Sequence, residues 1–89
     1  MNPNTSAATT RMMLGAAESI LPPGWTLRGR QAEHGVPMIT DRTGLPVAAA
    51  EVVRIGLSEA SGVDAIVVAA FADPGAATLR EHLSIPIIG

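Results

Sequence analysis

Cysteine is absent from this chain. Disulfides, thiolate metal sites and cysteine nucleophiles are therefore excluded. Aromatic residues are nearly absent as well, being limited to Trp25 and Phe71. Any core must be assembled from Ala, Val, Ile, Leu and Met, side chains suited to close packing of helices on a sheet. No window of about 18 unbroken apolar residues occurs, so no transmembrane helix is expected. The N-terminus lacks the basic-then-apolar layout of a secretory leader, and a cytoplasmic location is the default expectation. There is no basic run. With a net charge of −2, nucleic acid has no electrostatic foothold. Gly29 and Gly35 match no glycine-rich phosphate fingerprint. His34 and His82 have no second ligand nearby in sequence; they read as a loop histidine and a surface histidine late in a helix. No metal and no cofactor are expected.

What remains is 89 residues, enough for one small domain, of which 47% are hydrophobic, so a buried core is expected rather than disorder. Met1 to Thr5 reads as a turn, with Asn2, Asn4, Thr5 and Ser6 as capping residues around Pro3. A helix is expected from Ser6 to Leu21, with Met13, Ala16, Ala17, Ile20 and Leu21 at helical spacing. Pro22-Pro23-Gly24 stops it. Trp25 to Gln31 alternates, with Trp25, Leu27 and Gly29 on one face and Thr26, Arg28 and Arg30 on the other, the pattern of a strand near a sheet edge. After a loop at His34-Gly35-Val36-Pro37, a second helix is expected from Leu45 or Pro46 to Ala60. Leu45, Ala48, Ala49, Val52, Val53 and Gly56 form its inward face, while Glu51, Arg54 and Ser58 point away.

Val63 to Ala70 is an apolar run rich in branched residues, the signature of a buried parallel strand. It changes abruptly to turn and helix-start chemistry at Asp73-Pro74-Gly75. A third helix is expected over Pro74 to Leu83, and Ile85 to Gly89 opens another strand. The order turn, α, β, loop, α, β, α, β argues an α/β fold with a parallel sheet and flanking helices, flavodoxin-like in style. Such folds place ligands at the carboxyl edge of the strands. Here that edge is Ala69-Ala70, which has no proton-transfer group. Asn2 to Ser6 offers free N–H groups and polar side chains that suit substrate oxygens, or plain helix capping. Phe71 is a pocket residue or a core aromatic. Asp73 reads as an N-cap rather than a general base.

Asn2-Pro3-Asn4-Thr5-Ser6 resembles the opening strand-to-helix turn of the aspartate/glutamate/hydantoin racemase superfamily. Val63 through Gly75 resembles the end of the central strand of that domain, and Leu79 through Gly89 continues the pattern, with Gly35, Pro37 and Ile39 fitting the intervening loop. The resemblance is closest to the hydantoin racemase branch and covers the chain as an N-terminal half. It implies cofactor-independent inversion of a carbon next to a carbonyl, in amino acids or hydantoin-type derivatives. In that family two α/β halves face each other across a cleft, and each supplies one cysteine. The pair removes and returns the proton from opposite faces.

Set against the family, the first cysteine position is Ala70, the partner half is missing, and so is the strand ahead of Asn2. Asn2, Asn4, Thr5, Ser6, Ala70 and Phe71 are the residues expected to border a small-molecule substrate, with no catalytic residue among them. A fully buried strand of about five apolar residues would add on the order of 8–15 kcal/mol of gross burial free energy. Its loss leads to the expectation of a poorly folded or self-associating chain, a homo-oligomer included. Two other readings stand beside an inactive racemase half. One is a non-catalytic fragment that binds a small carboxylate or a partner. The other is a different enzyme using Asp73 or His34 as base.

Overall fold

A computed structural model describes all 89 residues. The first helix, α1, spans Ala7–Glu18. Ser6 caps it, its hydroxyl accepting from the Thr9 amide at 3.1 Å. The turn ahead of it is knitted by asparagine side chains. Asn2 Oδ1 accepts from the Asn4 amide at 3.1 Å, and Asn4 Oδ1 from the Ser6 amide at 2.9 Å. The helix ends at Ser19, short of Leu21. Its inward stripe is Thr10, Met13, Leu14 and Ala17, whereas Ile20 is exposed.

The second helix, α2, spans Leu45–Glu59, with Pro46 in its first turn, where a missing N–H is harmless. The third, α3, spans Ala76–His82. Two short strands, β1 (Ile66–Val67) and β2 (Ile87–Ile88), pair in parallel, Ile66 opposite Ile87. The core lies on one face of this pair. Val52 of α2 meets Ile66, Val68, Ala76, Leu79 and Ile87, all buried. Two glycines let the helices meet there. A Cβ on Gly56 would come within 2.8 Å of Leu79, and one on Gly75 within 2.8 Å of the Ala49 carbonyl oxygen. Arg80 closes the far end, donating from Nε and Nη2 to the Ile87 carbonyl at 3.0 and 2.9 Å. The opposite face is thinly covered. Met13, Leu14 and Ala17 of α1 border a groove with Leu27, Gly29 and Val67, and Val67 stays about half exposed.

The strand expected over Trp25 to Gln31 forms only one bridge, Gln31 with Asn2. The Asn2 amide donates to the Arg30 carbonyl at 2.8 Å, and the Ala32 amide to the Asn2 carbonyl at 3.0 Å. On its other side, the Met1 carbonyl accepts from the Ala69 amide at 2.9 Å. Met1 and Asn2 thus lie between the edge segment and β1, giving the spatial order Arg30–Ala32, Met1–Asn2, β1, β2. In this parallel register Gln31 falls opposite Asn2 and Arg30 opposite Met1, and no further bridge forms back toward Trp25. The alternation is still expressed: Leu27 and Gly29 face α1, while Arg28 and Arg30 reach Glu59 at the end of α2.

The Val63 to Ala70 strand is likewise shortened to its centre. Ala65 falls opposite Pro86, which has no N–H to donate, so the ladder stops there.

Glu51 departs most from expectation. It was placed on the outer face of α2, but it is only 6% exposed. Its carboxylate accepts from the Glu33 amide at 2.7 Å, the His34 amide at 3.1 Å and Arg54 Nη2 at 3.0 Å. The Arg54 hydrogen bond above all, then these amides and the His34 ring, hold its pKa down at about 2 against the opposing effect of burial. Glu51 therefore fastens the Glu33–His34 loop to α2. An ion-pair chain continues from it through Arg54, Glu33, Arg30, Glu59 and Arg28. Side chains thus hold the edge segment where backbone pairing does not.

Candidate functional site

The carboxyl ends of β1 and of the Met1–Asn2 segment open into a cleft of about 630 Å³. Its walls are the Asn2-Pro3-Asn4 turn with Thr9, the strand tip Ala69 to Ala72, and the segment Met38 to Arg42 with Leu45. Four of the residues expected at a substrate, Asn2, Asn4, Ala70 and Phe71, come together here. Thr5 and Ser6 do not line it. The Thr5 amide is spent on the Val36 carbonyl at 3.0 Å, which ties the turn to the loop that Glu51 anchors. The Ser6 hydroxyl is spent on the Thr9 amide and hydroxyl.

The hydrogen-bond inventory separates groups that build the cleft from groups free to use it. Asn2 is 2% exposed. Its Nδ2 donates to the Ser6 carbonyl and the Thr10 hydroxyl, each at 3.1 Å, while its Oδ1 holds Asn4. Its side chain is thus committed to the turn. Asn4 uses only its oxygen in that turn, and its amide NH₂ has no protein acceptor. Asp41 accepts from the Thr43 amide and hydroxyl, capping the short 3₁₀ turn Arg42–Gly44. Those bonds, the hydroxyl's first, keep its carboxyl below the usual aspartate range. Arg42 forms no ion pair and no side-chain hydrogen bond, unlike Arg28, Arg30 and Arg54. The Met38 to Arg42 wall was missed in the sequence. Its signal was Asp41, a capping residue two before Thr43 and just ahead of the apolar periodicity of α2.

The strand tip leads into a strained turn. Ala72 and Asp73 have positive φ, 73° and 47°, followed by Gly75 at 83°. This left-handed path delays α3 to Ala76, so Asp73 is not its N-cap. Gly75 occupies that position without a side-chain cap. Asp73 contributes its carbonyl instead, to the Ala76 amide at 3.1 Å, and its carboxylate rests against Gly89. Phe71 is 97% exposed at the cleft rim and is no core aromatic. His34 and His82 lie outside the cleft walls. His34 pairs with Glu51 at 3.2 Å, and His82 meets the Thr78 carbonyl at 2.9 Å. No group of three His, Cys, Asp or Glu side chains is placed to hold a metal ion. No helix is long and apolar enough to cross a membrane.

The arrangement defines an α/β unit with helices flanking a parallel sheet and a cleft of mixed polar and apolar lining at the strand ends. A family model for Asp/Glu/hydantoin racemases matches residues 1–89, and the chain belongs to that family, as an N-terminal half of its fold. Among solved structures it is similar to the allantoin racemase from Klebsiella pneumoniae, with a TM-score of 0.87 and 37% sequence identity. That match covers 99% of this chain and 36% of the other, so the chain spans about a third of the length of that relative. No curated protein matches the chain.

Proposed function

We propose that this chain is a ligand-binding racemase half: it holds an amino acid or hydantoin-type compound in the cleft, without cofactor, and does not racemise it alone. The observation that carries the reading is Ala70. It lines the cleft at the end of β1, where the family resemblance expects a thiol, and carries only a methyl group. The ionisable side chains on the cleft walls are Asp41 and Arg42. Asp41 is held ionised by Thr43, which makes it a weak base, and an arginine does not deprotonate at working pH. Neither suits removal of a proton next to a carbonyl, a step that works best with a group whose pKa lies near the operating pH.

The test compares the native chain with Ala70→Cys on enantiopure hydantoins and amino acids. Optical rotation and exchange of the α-proton in D₂O are read together, and ligand binding is followed by NMR shifts of the Asn4 side chain. The native chain is expected to bind and to change neither signal. Ala70→Cys is expected to exchange the proton with retention, since one base reaches one face. Turnover by the native chain would refute the proposal.

A further inference from the structure

We infer that Glu51 is a positioning residue of the cleft: its carboxylate tethers to α2 the loop that brackets the Asn2 to Thr5 turn and leads into the Met38 to Arg42 wall. This rests on the binding role proposed above and names a group, outside the cleft, that sets the geometry of that site. Glu51 does not line the cleft. It is the one charged side chain that is buried, and burying a carboxylate is costly unless its oxygens are paired. An ion pair with Arg54, three residues further along the same helix, forms equally well in solvent and does not account for the burial. The loop does. Oε2 accepts from the Glu33 and His34 amides at 2.7 and 3.1 Å, and the His34 ring Nδ1 lies 3.2 Å from Oε1.

The two tethered residues sit in the middle of a bridge to the turn. On one side of them the Ala32 amide donates to the Asn4 carbonyl at 3.0 Å. On the other the Val36 carbonyl accepts from the Thr5 amide at 3.0 Å. Glu51 thus fixes to α2 the segment that holds Asn4 at the cleft. Beyond Val36, residues 37 to 40 take part in no loop hydrogen bond. The wall they begin is tied at its ends, by the Glu51 tether ahead of it and by the 3₁₀ turn Arg42–Gly44 behind it. Apolar burial does little to replace the tether, since Gly35, Val36, Pro37, Met38 and Thr40 are all exposed.

The native chain, Glu51→Ala, Glu51→Gln and Arg54→Met are compared by amide hydrogen exchange and by calorimetry with 5-methylhydantoin. In Glu51→Ala the Thr5 amide is expected to exchange about tenfold or more faster, because two amides lose their bonds to a charged group. Affinity for the hydantoin should fall by a similar factor, as only molecules with the wall in place bind it. Glu51→Gln keeps an oxygen for the two amides and should return most of both losses. Arg54→Met removes a half-exposed ion pair but leaves the loop amides bonded, so both readings should stay within about threefold of native. A purely stabilising Glu51 would make Arg54→Met and Glu51→Gln as damaging as Glu51→Ala.

Unchanged Thr5 exchange in Glu51→Ala overturns the inference and leaves the binding role standing. Equal damage from Glu51→Ala and Arg54→Met does the same. Should Glu51→Ala not fold, exchange in the native chain decides. The Glu33, His34 and Thr5 amides are expected to open together as urea is raised, and Thr5 opening by itself overturns the inference. If the hydantoin does not bind the native chain, the binding role loses its support, and the exchange series alone upholds or overturns the positioning.

Discussion

The turn that carries the chain from the strand tip to α3 contains two positions whose substitutions have opposite expected signs. Gly75 has φ of 83°, and a Cβ there would sit 2.8 Å from the Ala49 carbonyl oxygen and 2.9 Å from Val52 Cβ and Cγ1. The first contact is with helix backbone, which has no rotamer to escape into. For Gly75→Ala, the left-handed conformation costs about 1–2 kcal/mol, and overpacking adds about 1–3 kcal/mol. The sum, roughly 2–5 kcal/mol, is a large part of the 5–15 kcal/mol that holds a typical domain together.

Ala72 presents the reverse case. Its φ is 73°, its side chain is exposed, and glycine would remove the same left-handed cost of about 1–2 kcal/mol. The freer unfolded chain takes back about 0.4–1 kcal/mol. A net gain of about 0–1.6 kcal/mol follows, and its midpoint of about 0.8 kcal/mol is worth roughly 3–6 °C in a domain of this size. Thermal and urea melts by circular dichroism measure both variants, with equal urea slopes as the check that the comparison is fair. A Gly75→Ala melt within a degree of the native chain would refute the packing argument. A lower melting temperature for Ala72→Gly would refute the strain argument.

Acid should loosen the molecule through Glu51, whose pKa falls from 4.5 to about 2 on folding. A depressed carboxyl stabilises the fold above its unfolded pKa, and that contribution is lost as pH falls from about 4.5 toward about 2. Urea midpoints should drop across this window in the native chain and drop less in Glu51→Gln; parallel pH profiles would contradict the anchoring role. Filling the space ahead of Met1 is a separate test. By the ladder's alternation, Ile66 and Val68 donate to β2, so the Val67 N–H faces the side where Met1 takes Ala69. Fusing about five alternating β-branched residues upstream of Met1 should raise the melting temperature and slow exchange of the Val67 amide. No added protection at Val67 would mean that the space does not accept a strand.

The helices and the order of elements were legible because each is a local property. Ser6 before Ala7, Pro46 in a first turn and the stop at Pro22-Pro23-Gly24 act within a few residues of themselves. The sheet was legible only in outline. Trp25 to Gln31 has the alternation of a strand, but a strand exists by virtue of its neighbour, and in this register the neighbour is Met1–Asn2. Glu51 was misplaced for a related reason. Helical spacing assigns it to the outer face, and the amides that draw it inward belong to Glu33 and His34, a loop whose path no periodicity predicts. Asp73 misled because Asp-Pro-Gly is a good cap pattern. The left-handed path through Ala72 and Asp73 shifts the helix start beyond the reach of the carboxylate. In the cleft, the turn and the strand tip were visible as motifs. The Met38 to Arg42 wall was not, since its residues matter by where α2 begins.

Ala70 separates two properties that are usually found together. The location of the cleft is set by backbone: the β1 ladder, the Ala69 bond to Met1, and the asparagine-linked turn ahead of α1. None of these depends on the side chain at position 70, so exchanging a thiol for a methyl leaves the cleft in place. Its other polar walls are equally independent of that position, because Asn4, Asp41 and Arg42 are supplied by other segments. Proton transfer has no such insulation. It needs an ionisable group within hydrogen-bond reach of the reacting carbon, and inversion needs a second group on the other face. The proposed reading, a half that binds without inverting, follows from this separation. Restoring one thiol at the strand tip addresses one face, so exchange without inversion is the furthest that Ala70→Cys can take these 89 residues.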